Sequence, residues 1–191
     1  MTLDEDYWSK RYEQGSTGWD IGHEGPLAKI IDTLEDKNTS ILIPGCGMAY
    51  EAEYAWKKGF KNVFVLDYSP IPLENFKKRF SEFPANQLIQ ADFFKHHAAY
   101  DVILEQTFFC ALWPNLRADY VKHMHKLLTK DGLLTGVLFD FSLESGPPFG
   151  GSSEEYKSLF SRKFELEKLE TCKFSIKPRL GKELYFKFRK K

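Results

Sequence analysis

The chain has 191 residues, 27 basic and 27 acidic, with no net charge at neutral pH. That length suits one hydrophobic core and is short for two domains, and the charge balance removes the general electrostatic case for nucleic acid or an anionic membrane as main partner. No apolar run approaches a bilayer span, the acidic opening Met1-Thr2-Leu3-Asp4-Glu5-Asp6 is unlike a signal peptide, and the scattered cysteines lack metal-ligand spacing. A cytoplasmic protein is expected, monomeric or weakly dimeric, without a metal, whose partner is a small molecule.

Residues 5–14 read as a short helix with Trp8 and Tyr12 on one face. The Gly-rich segment 15–22 follows, and Pro26 opens a helix whose Leu27, Ile30, Ile31 and Leu34 form an apolar stripe. Strands are expected at 40–44, 62–67, 87–91, 100–105 and 132–140, alternating with helices. Ser69 is a natural N-cap with Pro70 at the first helical position, and Pro114 starts a further helix. After a helix at 153–161 come two extended segments, 164–175 and 182–189. In the second, Leu184, Phe186 and Phe188 alternate with Glu183, Tyr185, Lys187 and Arg189. The order predicts an α/β fold with a mostly parallel sheet and one antiparallel insertion from a C-terminal hairpin. The whole chain, 1–191, is expected to be one domain, with residues 1–24 as an aromatic lid and 25–191 as the core.

The most informative stretch is Ile41-Leu42-Ile43-Pro44-Gly45-Cys46-Gly47, followed by Val63-Phe64-Val65-Leu66-Asp67. A Gly-x-Gly turn after a first strand lets a ligand approach the backbone, and a carboxylate ending the second strand can accept both ribose hydroxyls. Dinucleotide sites want a third glycine where this chain has Tyr50, and pyrophosphate is disfavoured by Glu51 in the next helical turn. S-adenosylmethionine has the ribose and adenine, lacks phosphate, and carries cations. A nicotinamide oxidoreductase, and a turn that binds nothing, stay open on these residues alone. Cys46 lies in the same loop, where a small side chain fits a tight turn.

Asp92, ending the third strand in Ala91-Asp92-Phe93-Phe94, has the place to accept from an adenine amino group beside an aromatic wall. An Asp capping a turn is the plainer alternative. Glu105 ends the fourth strand at the topological switch point, where ligands bind in open α/β sheets; a surface acid is the alternative. Trp8, Tyr12 and Trp19 come from outside the repeating sheet unit, and either cap the core or close over a sulfonium by cation–π attraction.

Together these segments resemble the thiopurine S-methyltransferase family, with its halide/thiol methyltransferase branch. The resemblance rests on Trp8-x3-Tyr12-x2-Gly15, Gly18-Trp19-Asp20, Ile43-Pro44-Gly45-Cys46-Gly47, Asp67-Tyr68-Ser69 and Ala91-Asp92-Phe93-Phe94. It extends to Phe108-Phe109-Cys110-Ala111-Leu112-x-Pro114, Gly146-Pro147-Pro148-Phe149 and Gly181-Lys182-Glu183. It implies a class I S-adenosylmethionine-dependent methyltransferase: a Rossmann-like, seven-stranded sheet under an N-terminal helical lid. Trp8, Tyr12, Trp19, Gly45, Cys46, Gly47, Asp67, Ala91, Asp92, Phe93 and Glu105 then fall at the cofactor, and Trp19, Asp20 and Phe139 near the methyl acceptor. The implied reaction is in-line methyl transfer to a small soft nucleophile, a thiolate or halide-like anion. Alternatives are another small-molecule acceptor, or a cofactor-binding protein without turnover. The chain departs from the family where Tyr12 replaces a frequent Trp, Ala49 a frequent Gly, and Phe139 a Tyr. The last removes a hydroxyl donor and counts against halide.

Overall fold

The computed structural model describes residues 2–142 and 145–191. Helix α1 (Glu5–Glu13), N-capped by Asp4, and the short α2 (Leu27–Ile31) precede the sheet. Then follow β1 (Ile41–Pro44), α3 (Tyr50–Lys57), β2 (Val63–Asp67), α4 (Pro70–Arg79), β3 (Leu88–Gln90) and β4 (Tyr100–Gln106). The second half holds α5 (Arg117–Leu127), β5 (Leu128–Phe139), α6 (Ser153–Phe160), β6 (Phe164–Thr171) and β7 (Glu183–Lys190). The seven strands form one sheet in the order β3-β2-β1-β4-β5-β7-β6. Strand β7 runs antiparallel to both neighbours, and the other pairings are parallel.

The order follows from the side chains. Strand β1 is buried along its whole length, as a central parallel strand with both faces covered must be. One face meets α2, α3 and α4 through Ile30, Ala52, Ala55, Leu73 and Phe76. The other meets α5 and α6 through Tyr120, Met124, Tyr156 and Phe160. Ser69 caps α4 by accepting the Ile71 N–H, with Pro70 first in the helix, as the sequence predicts. Asp101, at the start of β4, accepts from the Ser40 N–H and the Thr129 hydroxyl, tying the ends of β1, β4 and β5 together.

Differences from the sequence reading include three boundaries and one buried side chain. Helix α2 stops at Ile31 because the Thr33 hydroxyl donates to the Ile30 carbonyl at 2.7 Å, though Leu34 still packs on the core. Pro114 opens a 3₁₀ turn, Pro114–Leu116, and α5 begins only at Arg117. Strand β5 starts at Leu128 rather than at 132: Lys130-Asp131-Gly132 is a kink inside the strand, with Asp131 at φ 58° and a register break opposite Tyr100 and Val102. Glu183, placed on the polar face of β7 by alternation, is only 1% exposed, because the 172–179 loop folds over that strand end, where the Cys172 N–H donates to the Glu183 carbonyl.

Candidate active site

The strand ends of β1, β2 and β4, together with α1 and the 17–19 segment, wall a cavity of about 720 Å³, within the ~300–1,000 Å³ range of small-molecule sites. Asp67 lines it. The Asp67 carboxylate is 6% exposed and accepts two backbone N–H groups, from Gly47 at 2.9 Å and Ser69 at 3.0 Å, one on each oxygen. Each oxygen keeps a further lone pair for a ligand hydroxyl. Burial pushes this carboxyl up to about 6, against the lowering effect of those N–H groups.

The loop that holds Asp67 depends on glycine at Gly45. Its φ is +59°, and a Cβ there would meet the Phe108 ring at 2.3 Å, so the ring's place in the cavity wall requires a bare backbone. Ala49 opens α3 at φ 53°, the left-handed conformation in which glycine would be unstrained.

Of the residues singled out from the sequence, Trp8, Tyr12, Trp19, Gly45, Asp67, Ala91, Asp92, Phe93 and Phe139 line this one cavity. The aromatic three pack edge to face, with Trp19 5.6 Å from Trp8 and 5.7 Å from Tyr12 between ring centroids. Asp92 turns one oxygen to the Phe94 N–H at 3.0 Å and lies 3.5 Å from the Lys95 ammonium, so it caps its own turn while bordering the cavity.

Four others sit elsewhere. Cys46 is buried beside the loop carbonyl of Gly47, and burial holds its thiol well above the ordinary range. Gly47 serves through its N–H on Asp67. Asp20 accepts from the Gly22 N–H and shapes a turn. Glu105 is fully buried and spent on protein partners. It accepts from the Phe108 and Phe109 N–H groups at 2.9 Å each and from the Tyr120 hydroxyl at 2.5 Å. The carboxylate therefore pins the turn after β4 rather than facing the cavity. Glu51, read as a deterrent to phosphate, is also buried, pushed up to about 8 by burial, and outside the cavity wall.

This gives a separable test. Tyr120→Phe should cost about 1–3 kcal/mol of stability by leaving a buried carboxylate oxygen unpaired, while cofactor affinity stays within about twofold. Urea denaturation and calorimetry on the same variant check both halves.

The sequence reading missed several wall residues: Arg11, Thr107, Phe108, Cys110, Trp113, Pro147, Pro148 and Arg179. Thr107 has φ 59°, an unusual state for a β-branched residue, and its carbonyl accepts from the Cys110 thiol at 3.2 Å. Buried Arg117, next to the wall residue Leu116, ties α5 to α6 and to the segment before it. It pairs with Glu155 at 2.5 Å and donates to the Gly150 carbonyl at 2.6 Å. Nearby the Phe149 N–H donates to the Cys110 carbonyl and the Tyr156 hydroxyl to the Phe139 carbonyl. The Pro-Pro-Phe and Phe-Phe-Cys blocks are visible in the sequence, but nothing in their composition says that they meet. Arg179 gives no sequence signal, because its loop is brought over Trp19 only by the β6–β7 hairpin.

Solved structures share this architecture. A TehB-like S-adenosylmethionine-dependent methyltransferase from Corynebacterium glutamicum aligns at a TM-score of 0.68 and 21% identity, over 98% of each chain. The 1,6-didemethyltoxoflavin N1-methyltransferase of Burkholderia thailandensis, solved with S-adenosylhomocysteine, aligns at 0.76 and 18%, over 97% of this chain and 86% of that one. The fold is that of class I S-adenosylmethionine-dependent methyltransferases.

A family model described as thiopurine S-methyltransferase (TPMT) matches residues 3–184. Among relatives, a probable thiol methyltransferase 2 of Arabidopsis thaliana is 34% identical over 96% of this chain and 84% of its own. Thiocyanate methyltransferase 1 of Brassica oleracea is 29% identical over 99% and 87%. The chain belongs to the thiopurine S-methyltransferase family and is an S-adenosylmethionine-dependent methyltransferase.

Proposed function

We propose that the enzyme methylates a small thiolate or a thiocyanate-like anion, with Asp67 holding the cofactor's ribose. The observation that carries the reading is the construction around Asp67: a buried carboxylate fixed by two backbone N–H groups, with lone pairs to spare, opening into one aromatic-walled cavity. Those lone pairs suit two adjacent hydroxyls. The rings of Trp8, Tyr12 and Trp19 suit a positively charged sulfur, each cation–π contact contributing ~0.5–2 kcal/mol. Bound S-adenosylmethionine supplies a methyl carbon already activated by that charge.

The chain's own residues supply placement and dryness. Asp92 borders the region for adenine beside Phe93, and α1 with residues 17–19 acts as the lid. The Ser9 hydroxyl shares a hydrogen bond with that of Ser69 at 2.8 Å, latching the lid helix to the cap of α4. Beyond, Phe139, Trp113 and Pro148 bound an apolar chamber for the acceptor. Aligning nucleophile and methyl contributes roughly 7–11 kcal/mol of barrier reduction. A thiolate or thiocyanate arrives ionised, so no proton need be removed in the transfer. The thiol and thiocyanate relatives support sulfur as the accepting atom.

The test is transfer of labelled methyl to a panel of hydrosulfide, thiocyanate, aryl thiols and iodide. Methylated sulfur products are expected, with iodide slowest. No product from any sulfur acceptor would overturn the reading.

A further inference from the structure

We infer that Thr107 positions the methyl acceptor, its hydroxyl donating a hydrogen bond to the acceptor's negatively charged atom. The inference rests on the proposed sulfur-acceptor reading and names a group that holds the acceptor in line.

Thr107 directly follows β4 and lines the cavity. Its φ is +59°, in the left-handed region, where a branched Cβ is an outlier and glycine is unstrained. The surrounding backbone enforces that state. One oxygen of the buried Glu105 carboxylate accepts from the Phe108 and Phe109 N–H groups at 2.9 Å each, and the other accepts from the Tyr120 hydroxyl. The Thr107 carbonyl is committed as well, to the Cys110 thiol at 3.2 Å. A glycine would complete this turn without strain. Among the described residues two other non-glycine positions have a positive φ, Ala49 with a small side chain and Asp131, of a type that tolerates the left-handed state. Thr107 instead carries a branched side chain that raises the cost. Enforced strain at a cavity wall points to a use for that side chain.

The hydroxyl is free for such a use. It makes no hydrogen bond with the described residues, and it is not among the buried polar atoms left without a partner, so it keeps accessible surface on a residue that lines the cavity. Its polar neighbours are committed elsewhere. Cys110 directs its S–H to the Thr107 carbonyl, and burial keeps that thiol neutral. Arg179 donates through Nη2 to the Trp19 carbonyl, while its Nη1 is sealed from the cavity opposite Glu183.

Sheet order gives the hydroxyl its place. Along β2-β1-β4-β5 the strand ends are followed or closed by Asp67, Gly45, Thr107 and Phe139 in succession. On the proposed reading Asp67 marks the ribose and Phe139 the acceptor, so Thr107 stands at the step between, where methyl and nucleophile meet. Its neighbours close that step on both sides. Phe108 packs so near Gly45 that a Cβ there would strike its ring, and Thr107 and Phe139 together border a second void of about 10 Å³.

A donor at this point suits the reaction. A thiolate or thiocyanate entering an apolar chamber loses water, and one O–H restores part of that solvation. In the transfer the acceptor's lone pair forms the new carbon–sulfur bond as the sulfonium's carbon–sulfur bond breaks, and both sulfur atoms end uncharged. The hydrogen bond is strong to the anion and weaker to the methylated product. It therefore aligns the first and lets the second leave.

The experiment titrates thiocyanate into the S-adenosylhomocysteine complex by calorimetry for wild type, Thr107→Val, Thr107→Ser and Thr107→Gly. The same proteins give kcat and KM for an aryl thiol and midpoints of urea denaturation. Thr107→Val keeps the branched shape and is expected to weaken thiocyanate binding about 10–30-fold, raising KM in step while kcat stays within about threefold. Thr107→Ser keeps the hydroxyl and should bind within about threefold of wild type. Thr107→Gly should lose as much affinity as Thr107→Val yet unfold at higher urea, because it relieves the strained φ. S-adenosylhomocysteine affinity should stay within about twofold throughout. The inference is overturned if wild type does not bind thiocyanate, if the valine and serine variants behave alike, or if thiocyanate and S-adenosylhomocysteine weaken together. The titration needs no turnover, so a protein that methylates no sulfur acceptor defeats the proposed function while this measurement still decides the role of Thr107.

Discussion

Asp67→Asn should weaken S-adenosylmethionine binding by ~100- to 1,000-fold, about 3–4 kcal/mol. Both oxygens of the native carboxylate accept a backbone N–H, from Gly47 and from Ser69. An amide offers one oxygen and one NH₂, so in either orientation a donor faces a donor. On the proposed reading the ribose hydroxyls also lose charge-assisted bonds, roughly twice as strong as neutral ones. Calorimetry with S-adenosylhomocysteine reads the loss directly, and affinity within tenfold of wild type would remove Asp67 from the ribose.

The same carboxyl sets a pH dependence. Its value of about 6 in the empty protein lies above the ordinary aspartate range, chiefly through burial. On the proposed reading two ribose hydroxyls donate to the ionised form, so below about pH 6 a proton must leave for the cofactor to enter. Affinity should therefore be flat above about pH 7 and fall by up to tenfold per unit below 6. Tyr12, beside it, is pushed upward by burial first and by the Asp67 charge next, and stays a neutral hydroxyl across this window. The Asp67→Asn protein should lose the acid limb altogether, which ties the profile to this group.

Gly136→Ala should cost more than about 4 kcal/mol and leave little folded protein. Gly136 sits in the middle of β5, paired with Glu105 on one side and Phe186 on the other. Its φ is +156°, and a Cβ would lie 1.9 Å from the Glu105 carbonyl oxygen and 2.7 Å from its carbon. These are backbone atoms of a central strand and cannot swing away. The displacement would also disturb the Glu105 carboxylate and the turn it pins. Gly181→Ala is the contrast: φ is +76° but nothing lies within 4 Å, so only the backbone conformation is strained, at about 1 kcal/mol. Denaturant midpoints for the pair separate close approach from backbone strain.

The sequence determined the sheet and the loop around Asp67 because both are written in local order. Short apolar runs bounded by turn residues marked the buried strands. Gly45 and Gly47 before a helix, and Asp67 after the next run, lie within one βαβ unit whose geometry is nearly invariant. The alternation at Leu184, Phe186 and Phe188 likewise set the face of β7 that enters the core. Burial of individual polar groups was another matter. Glu105 and Glu183 look alike in sequence, strand-end acids beside apolar runs. Only tertiary packing decided that the first would be consumed by Phe108, Phe109 and Tyr120 and the second left 3.7 Å from an arginine. The other end of the cavity was only partly legible: the family resemblance singled out Trp19 and Phe139, while Pro148 and Arg179 were not placed there. Trp19, Phe139, Pro148 and Arg179 come from four separate stretches spread over 160 residues. They meet because β7 inserts beside β5 and carries its preceding loop over the cavity mouth. A local pattern records which face of an element is apolar, but a site assembled from distant loops exists only once the sheet order is fixed.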